Sequence, residues 1–198
     1  MAISADGKHL VLEELTPAYS YDLMVLELDD PSTPTATGTR QASPLLDTPS
    51  DERNASIAPD GRWMAYDSNK SGRFEIYVKP FPNVQDAEHQ ISTEGGRTPL
   101  WAPDGRELFY VNGSAVMVAA VQSTPSFRAG NPTTLFESRS LVLDGRLFGN
   151  TGRTYDVSRD GQRFLMLKDT AAGETQRPGI IVVQNWTEEL RTLVPVAR

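Results

Sequence analysis

Ile57-Ala58-Pro59-Asp60-Gly61-Arg62-Trp63-Met64-Ala65-Tyr66 decides the fold of this 198-residue chain. An Asp-Gly pair supplies the positive φ of a tight turn, and the apolar runs on either side read as the two strands of a hairpin. The same pattern recurs without gaps at Ile3-Ser4-Ala5-Asp6-Gly7-Lys8-His9-Leu10-Val11-Leu12 and at Trp101-Ala102-Pro103-Asp104-Gly105-Arg106-Glu107-Leu108-Phe109-Tyr110. A fourth copy is Val157-Ser158-Arg159-Asp160-Gly161-Gln162-Arg163-Phe164-Leu165-Met166. Recurrence at a turn assigns Asp6, Asp60, Asp104 and Asp160 to structure rather than to catalysis.

Successive Asp-Gly pairs lie 54, 44 and 56 residues apart, the period of a β-propeller blade with loop insertions. A further apolar strand follows each hairpin: Asp22-Leu23-Met24-Val25-Leu26-Glu27-Leu28, Glu75-Ile76-Tyr77-Val78-Lys79, Ala115-Val116-Met117-Val118-Ala119-Ala120-Val121 and Gly179-Ile180-Ile181-Val182-Val183. Outer strands are expected at Pro44-Leu45-Leu46-Asp47, His89-Gln90-Ile91-Ser92 and Thr134-Leu135-Phe136-Glu137. The fold class read from this is all-β, a partial or four-bladed propeller of four-stranded antiparallel blades. The blades would fall at about 1–48, 49–92, 93–137 and 138–198, in a single domain. One short C-terminal helix is expected at Asn185-Trp186-Thr187-Glu188-Glu189-Leu190-Arg191, capped by Asn185 or Thr187. Residues 29–40 and 138–151 read as surface insertions. The first unit begins only five residues before its Asp, which predicts derivation from a longer propeller.

A net charge of −7 argues against a nucleic-acid partner, because phosphate backbones need a basic face. The absence of cysteine removes disulfides, thiolate metal sites and cysteine nucleophiles. No apolar stretch approaches the roughly 18 residues of a membrane span. The opening Met1-Ala2-Ile3-Ser4-Ala5-Asp6-Gly7 has neither a basic nor an apolar leader segment, so the sequence as written predicts a cytoplasmic location.

The Ser/Ala-Pro-Asp-Gly-Lys/Arg turns with their aromatic-ending strands resemble the TolB-like, WD40-like (PD40) propeller repeat. Ser71-Gly72-Arg73-Phe74-Glu75-Ile76-Tyr77-Val78-Lys79-Pro80-Phe81-Pro82, Ser92-Thr93-Glu94-Gly95-Gly96 and the ending Asn185-Trp186-Thr187-Glu188-Glu189-Leu190 are similar to the C-terminal sensor propeller of bacterial serine/threonine protein kinases. The resemblance implies a ring of six to eight blades, often outside the cytoplasm, that binds proteins or peptides. Related propellers gate prolyl-oligopeptidase-type hydrolases. Neither a kinase Gly-rich loop nor a Gly-x-Ser-x-Gly elbow occurs in this sequence.

Arginine is the non-turn residue that recurs in register. Arg53, Arg97 and Arg153 each stand seven residues before a motif Asp, where an innermost strand begins beside the channel. Three converging guanidinium groups would hold a carboxylate or phosphate, whereas pairing with a nearby acid such as Asp51 or Glu52 would make them structural. A glycosidase-type hydrolase is the alternative, with Asp51, Glu52 and Glu94 as its carboxylates, although 26 acidic residues guarantee chance pairs. His9 and His89 lack the spacing of a Ser-His-Asp triad. Asp29-Asp30 and Asp144-Gly145 match no calcium loop. Trp63 and Trp101 fall in repeat strands, where packing between blades is their expected role, while Trp186 stands outside them.

The sequence thus predicts a non-catalytic module without metal or cofactor, binding a protein, peptide or small anion through Arg53, Arg97 and Arg153. Exposed blade flanks predict a homo-oligomer, or completion of the ring by other blades.

Overall fold

The computed structural model describes residues 1–17, 20–28, 40–137 and 152–167, together with the backbone of 180–183. These residues form four antiparallel sheets in chain order and contain no helix. The first sheet runs β1 (Ala2–Ile3), β2 (His9–Leu15), β3 (Tyr21–Glu27), β4 (Ser43–Leu46). The second runs β5 (Glu52–Ile57), β6 (Trp63–Ser68), β7 (Glu75–Pro80), β8 (His89–Gln90). In the third, β9 (Arg97–Trp101), β10 (Glu107–Asn112) and β11 (Ala115–Gln122) lie side by side, and β12 (Arg128–Ala129) and β13 (Thr133–Glu137) share the outer edge of β11. The fourth has β14 (Tyr155–Val157), β15 (Phe164–Leu167) and β16 (Ile180–Val183) among the described residues. The expected C-terminal helix, Trp186, Asp29-Asp30 and Asp144-Gly145 lie outside the described residues.

The four motif turns share one construction. Gly7, Gly61, Gly105 and Gly161 all sit at φ of 69–70°, a region that a side chain would penalise. Each donates its N–H to the carbonyl three residues back, on Ser4, Ala58, Ala102 and Ser158 respectively. Each motif Asp then accepts the N–H two residues on: Lys8 at 3.1 Å, and Arg62, Arg106 and Gln162 at 3.0 Å. The aspartates are thereby fixed as turn residues, the Asx arrangement that sets this backbone path.

Period-two alternation on the second strand of each sheet sends successive side chains to opposite faces. Val11 and Leu23 of the first sheet pack with Met64, Tyr66 and Tyr77 of the second. Ala65, Ile76 and Val78 of the second pack with Leu108, Tyr110 and Ala119 of the third. Phe109, Val111 and Val116 of the third pack with Phe164, Met166 and Tyr155 of the fourth. The core is therefore not central but divided into three seams, one between each consecutive pair of sheets.

Candidate functional site

Arg53 and Arg97 stand at the second and first positions of β5 and β9, and Arg153 two residues before β14. Directly after each of the first two arginines the strand bulges. Arg53 pairs with Asp67 but Ser56 with Ala65, and Arg97 pairs with Val111 but Leu100 with Phe109. One extra residue is accommodated each time, and the chain turns left-handed at Asn54 (φ 53°) and Thr98 (φ 52°). For non-glycine residues this conformation costs on the order of 1–3 kcal/mol.

Carboxylates from the preceding sheet hold both bulges. Glu13 Oε1 accepts the Asn54 N–H at 2.9 Å, and Asp67 Oδ2 accepts the Thr98 N–H at 2.7 Å. Glu13 and Asp67 both stand seven residues after a motif Asp. The same position in the third sheet is Val111. There the junction is tied instead by Tyr155, whose buried hydroxyl donates to the Thr98 carbonyl at 2.7 Å.

The three arginines meet different surroundings along this series. Arg53 is buried, its Nε lies 3.3 Å from Glu13 Oε2, and its guanidinium stacks 4.1 Å over the Tyr21 ring. Its carboxylate partner is Glu13 rather than Asp51 or Glu52. Arg97 is half-buried and stacks 4.0 Å over Phe74. The acid in register with it, Asp67, is one methylene shorter than Glu13, and the pair forms no ion pair among the described residues. Arg153 is exposed, and its Nε donates to the Tyr155 carbonyl at 3.0 Å. Valine occupies the position where an acid would face it.

Asp67 is fully buried. Its Oδ2 accepts from Asn54 Nδ2 at 2.8 Å as well as from Thr98, while its Oδ1 and the Thr98 hydroxyl find no hydrogen-bond partner among the described residues. Burial pushes its pKa up to about 6, opposed by the hydrogen bonds from Thr98 and Asn54 and by the nearby Arg97 charge. This is a polar core where the second sheet meets the third, and Gly152 closes on it: a Cβ there would come within 3.2 Å of Asn54 Oδ1.

The other carboxylates are engaged elsewhere. Asp51 accepts the Tyr21 N–H and the Asn69 amide, both at 2.9 Å. Glu52 is only 2% exposed and accepts from Thr48 and Ser68, and burial raises its pKa. Glu94 is exposed. Glycoside hydrolysis needs two carboxyls facing a sugar from opposite sides, whereas Glu52 is buried and both Asp51 and Glu52 are engaged by neighbouring groups of the fold. His9 stands edge-on to Phe81, while His89 lies 4.7 Å from Phe127 and 5.9 Å from Trp63. Trp63 and Trp101 are buried in the seam between the second and third sheets. No group of three metal-ligating side chains occurs among the described residues.

Sequence reasoning missed Glu13, Asp67, Asn54 and Thr98. Extending the repeat comparison one residue past Leu12 and Tyr66 exposes the acids, since both occupy the next position.

No protein-family model matches the sequence, and no curated protein matches it either. Solved structures do match. TolB from Acinetobacter baumannii is similar over 93% of this chain and 40% of its own, at 15% identity and a TM-score of 0.58. A TolB-type protein from Agrobacterium tumefaciens is similar over 91% of this chain and 58% of its own, at 17% identity and a TM-score of 0.57. Hydrazine synthase from Kuenenia stuttgartiensis is similar over 92% and 44%, at 15% identity and a TM-score of 0.53. The chain thus spans between 40% and 58% of the length of these structures. Likeness at such identity speaks to fold alone, and together with the four sheets and their three seams it establishes that the chain has a β-propeller fold of four-stranded antiparallel sheets, partial or four-bladed, similar to that of TolB.

Proposed function

We propose that the chain is a binding module whose channel side takes a carboxylate-bearing peptide or small anion on Arg97 and Arg153. The observation that carries this reading is the loss of acid along the arc. Glu13 neutralises Arg53 at 3.3 Å, Asp67 is drawn into the Thr98 bulge instead of pairing with Arg97, and Val111 replaces the acid altogether beside Arg153. Arg97 and Arg153 flank one junction, because each is close in sequence to a member of the Tyr155–Thr98 hydrogen bond. A guanidinium stacked on an aromatic ring keeps its in-plane donors free for a bidentate carboxylate. Arg53 serves as a structural cation in this scheme.

Ligand that binds only the folded chain raises its melting temperature. Citrate should therefore stabilise the wild type, and Arg97→Gln with Arg153→Gln should abolish that gain while leaving the fold intact. Arg53→Gln should lower the melting temperature with or without citrate. A citrate response that survives the double replacement would refute the assignment.

A further inference from the structure

Glu13 and Asp67 occupy one position of the repeat, Arg53 and Arg97 another, and the two junctions they build differ at one oxygen. In the first junction Glu13 uses both of its oxygens: Oε1 accepts the Asn54 N–H at 2.9 Å, and Oε2 lies 3.3 Å from Arg53 Nε. In the second, Asp67 Oδ2 accepts the Thr98 N–H at 2.7 Å and the Asn54 amide at 2.8 Å. Its Oδ1, the counterpart of the oxygen that meets Arg53, is buried and has no hydrogen-bond partner among the described residues. Arg97 stands off that oxygen, with its guanidinium 4.0 Å over the Phe74 ring. The arginine seat of the first junction is thus repeated in the second, but Arg97 does not sit in it.

The groups that reach Asp67 come from β2, β5, β7, β9 and β14. Glu13 is contributed by β2, the Asn54 amide and Arg53 by β5, and Thr98 and Arg97 by β9. Apolar Ile76 of β7 pairs with Asp67 in register. Tyr155 of β14 donates to the Thr98 carbonyl, and its phenol senses the charges of both Asp67 and Arg153. Arg53 is paired with Glu13, so Arg97 is the cation that favours the ionised form of Asp67, while Glu13 opposes it.

We propose that the Asp67 carboxylate competes with the bound anion for Arg97, so that the anion is taken up together with one proton, which Asp67 receives from solvent. This coupling rests on the assignment of Arg97 and Arg153 as the anion site. An anion there cancels the charge that favours ionised Asp67 and adds one that opposes it, and charges around a buried group are weakly screened. Linkage is reciprocal: whatever the anion adds to the proton affinity of Asp67, the proton adds to the affinity for the anion. Burial has already brought Asp67 up to about 6. Affinity for the anion should therefore be low at about pH 8, climb as pH falls through about 7 and 6, and level off near pH 5, roughly tenfold for each unit by which the anion raises the Asp67 midpoint.

The test is isothermal titration calorimetry of the full chain with sulfate, an anion whose own charge is constant across this range. Wild type should bind sulfate about tenfold more tightly at about pH 5.5 than at about pH 8. Near the midpoint, its binding heat should differ between buffers of unequal ionisation enthalpy, reporting the proton taken up. Asp67→Asn, neutral at every pH, should bind with one affinity throughout and take up no proton. Should that variant unfold, carbon-13 resonances of the wild-type Asp67 carboxyl read the same coupling, and sulfate should raise their titration midpoint. A pH dependence that persists in Asp67→Asn, wild-type affinity that is flat with pH, or a midpoint unmoved by sulfate would each overturn the proposal. The anion site itself would survive those results if Arg97→Gln with Arg153→Gln still abolished sulfate binding. Sulfate that binds at no pH would overturn site and coupling together.

Discussion

Asp67 offers a quantitative test of the bulge clamp. Its carboxyl is fully buried and titrates at about 6, against an ordinary value of 3.8. The folded chain therefore binds this proton more tightly than the unfolded chain does. Its contribution to stability is fully present below about 3.8 and is lost as pH rises through about 6. The whole shift corresponds to roughly 3 kcal/mol, and close to half of it, roughly 1.4 kcal/mol, is expressed between about pH 7.5 and about pH 5. For a chain of this size that is about 3–6 °C in melting temperature. Other buried acids titrate in the same direction, so the decisive quantity is the difference between wild type and Asp67→Asn. The replacement keeps one oxygen to accept from both the Thr98 N–H and the Asn54 amide, and its new amide nitrogen takes the place of Oδ1, which has no hydrogen-bond partner among the described residues. Melting temperatures of both proteins, measured by circular dichroism across that pH range, should diverge by this amount, the wild type gaining more on acidification. Parallel pH profiles would refute the reasoning that Asp67 is a buried carboxyl whose proton the fold holds more tightly than the unfolded chain does.

Three further outcomes follow from the same contacts. Glu13→Ala removes a carboxylate paired with buried Arg53 and the acceptor of the Asn54 N–H, and should cost roughly 1–3 kcal/mol in urea unfolding. Phe164→Ala opens a void among Phe109, Phe136 and Tyr155 and should cost about 3–5 kcal/mol, with protection from hydrogen exchange lost first in β14 and β15. Gly61→Ala, at φ 69° with open space around it, should lower stability by about 1 kcal/mol through backbone strain alone, whereas a neutral result would deny the shared turn geometry.

The fold was legible because its signal is local. Asp60, Gly61 and their flanking strands contain within ten residues both the turn chemistry and the pattern of the hairpin, and the hydrogen bond from Arg62 to Asp60 spans two positions. The bulge clamps were not legible in the same way. Glu13 acts on Asn54, 41 residues later, and Asp67 on Thr98, 31 residues later, so neither role shows in its own neighbourhood. The arginine register was visible, but charge balance along it was not. That balance turns on one methylene between Glu13 and Asp67 and on a valine at 111. Asp51 and Glu52 carry the residue type that catalysis uses, and only burial and the bonds from Tyr21, Asn69, Thr48 and Ser68 show how they are engaged.

Binding at the channel side is tested most directly by the arginine side chains themselves. In protein labelled with nitrogen-15 at arginine, the Nε–H resonances of Arg53, Arg97 and Arg153 can be assigned by single replacement and followed while citrate is added. The account predicts saturable shifts at Arg97 and Arg153, with Arg53 unmoved in its pair with Glu13. Resonances that stay still, or that move no more than those of exposed Arg62 and Arg106, would contradict it.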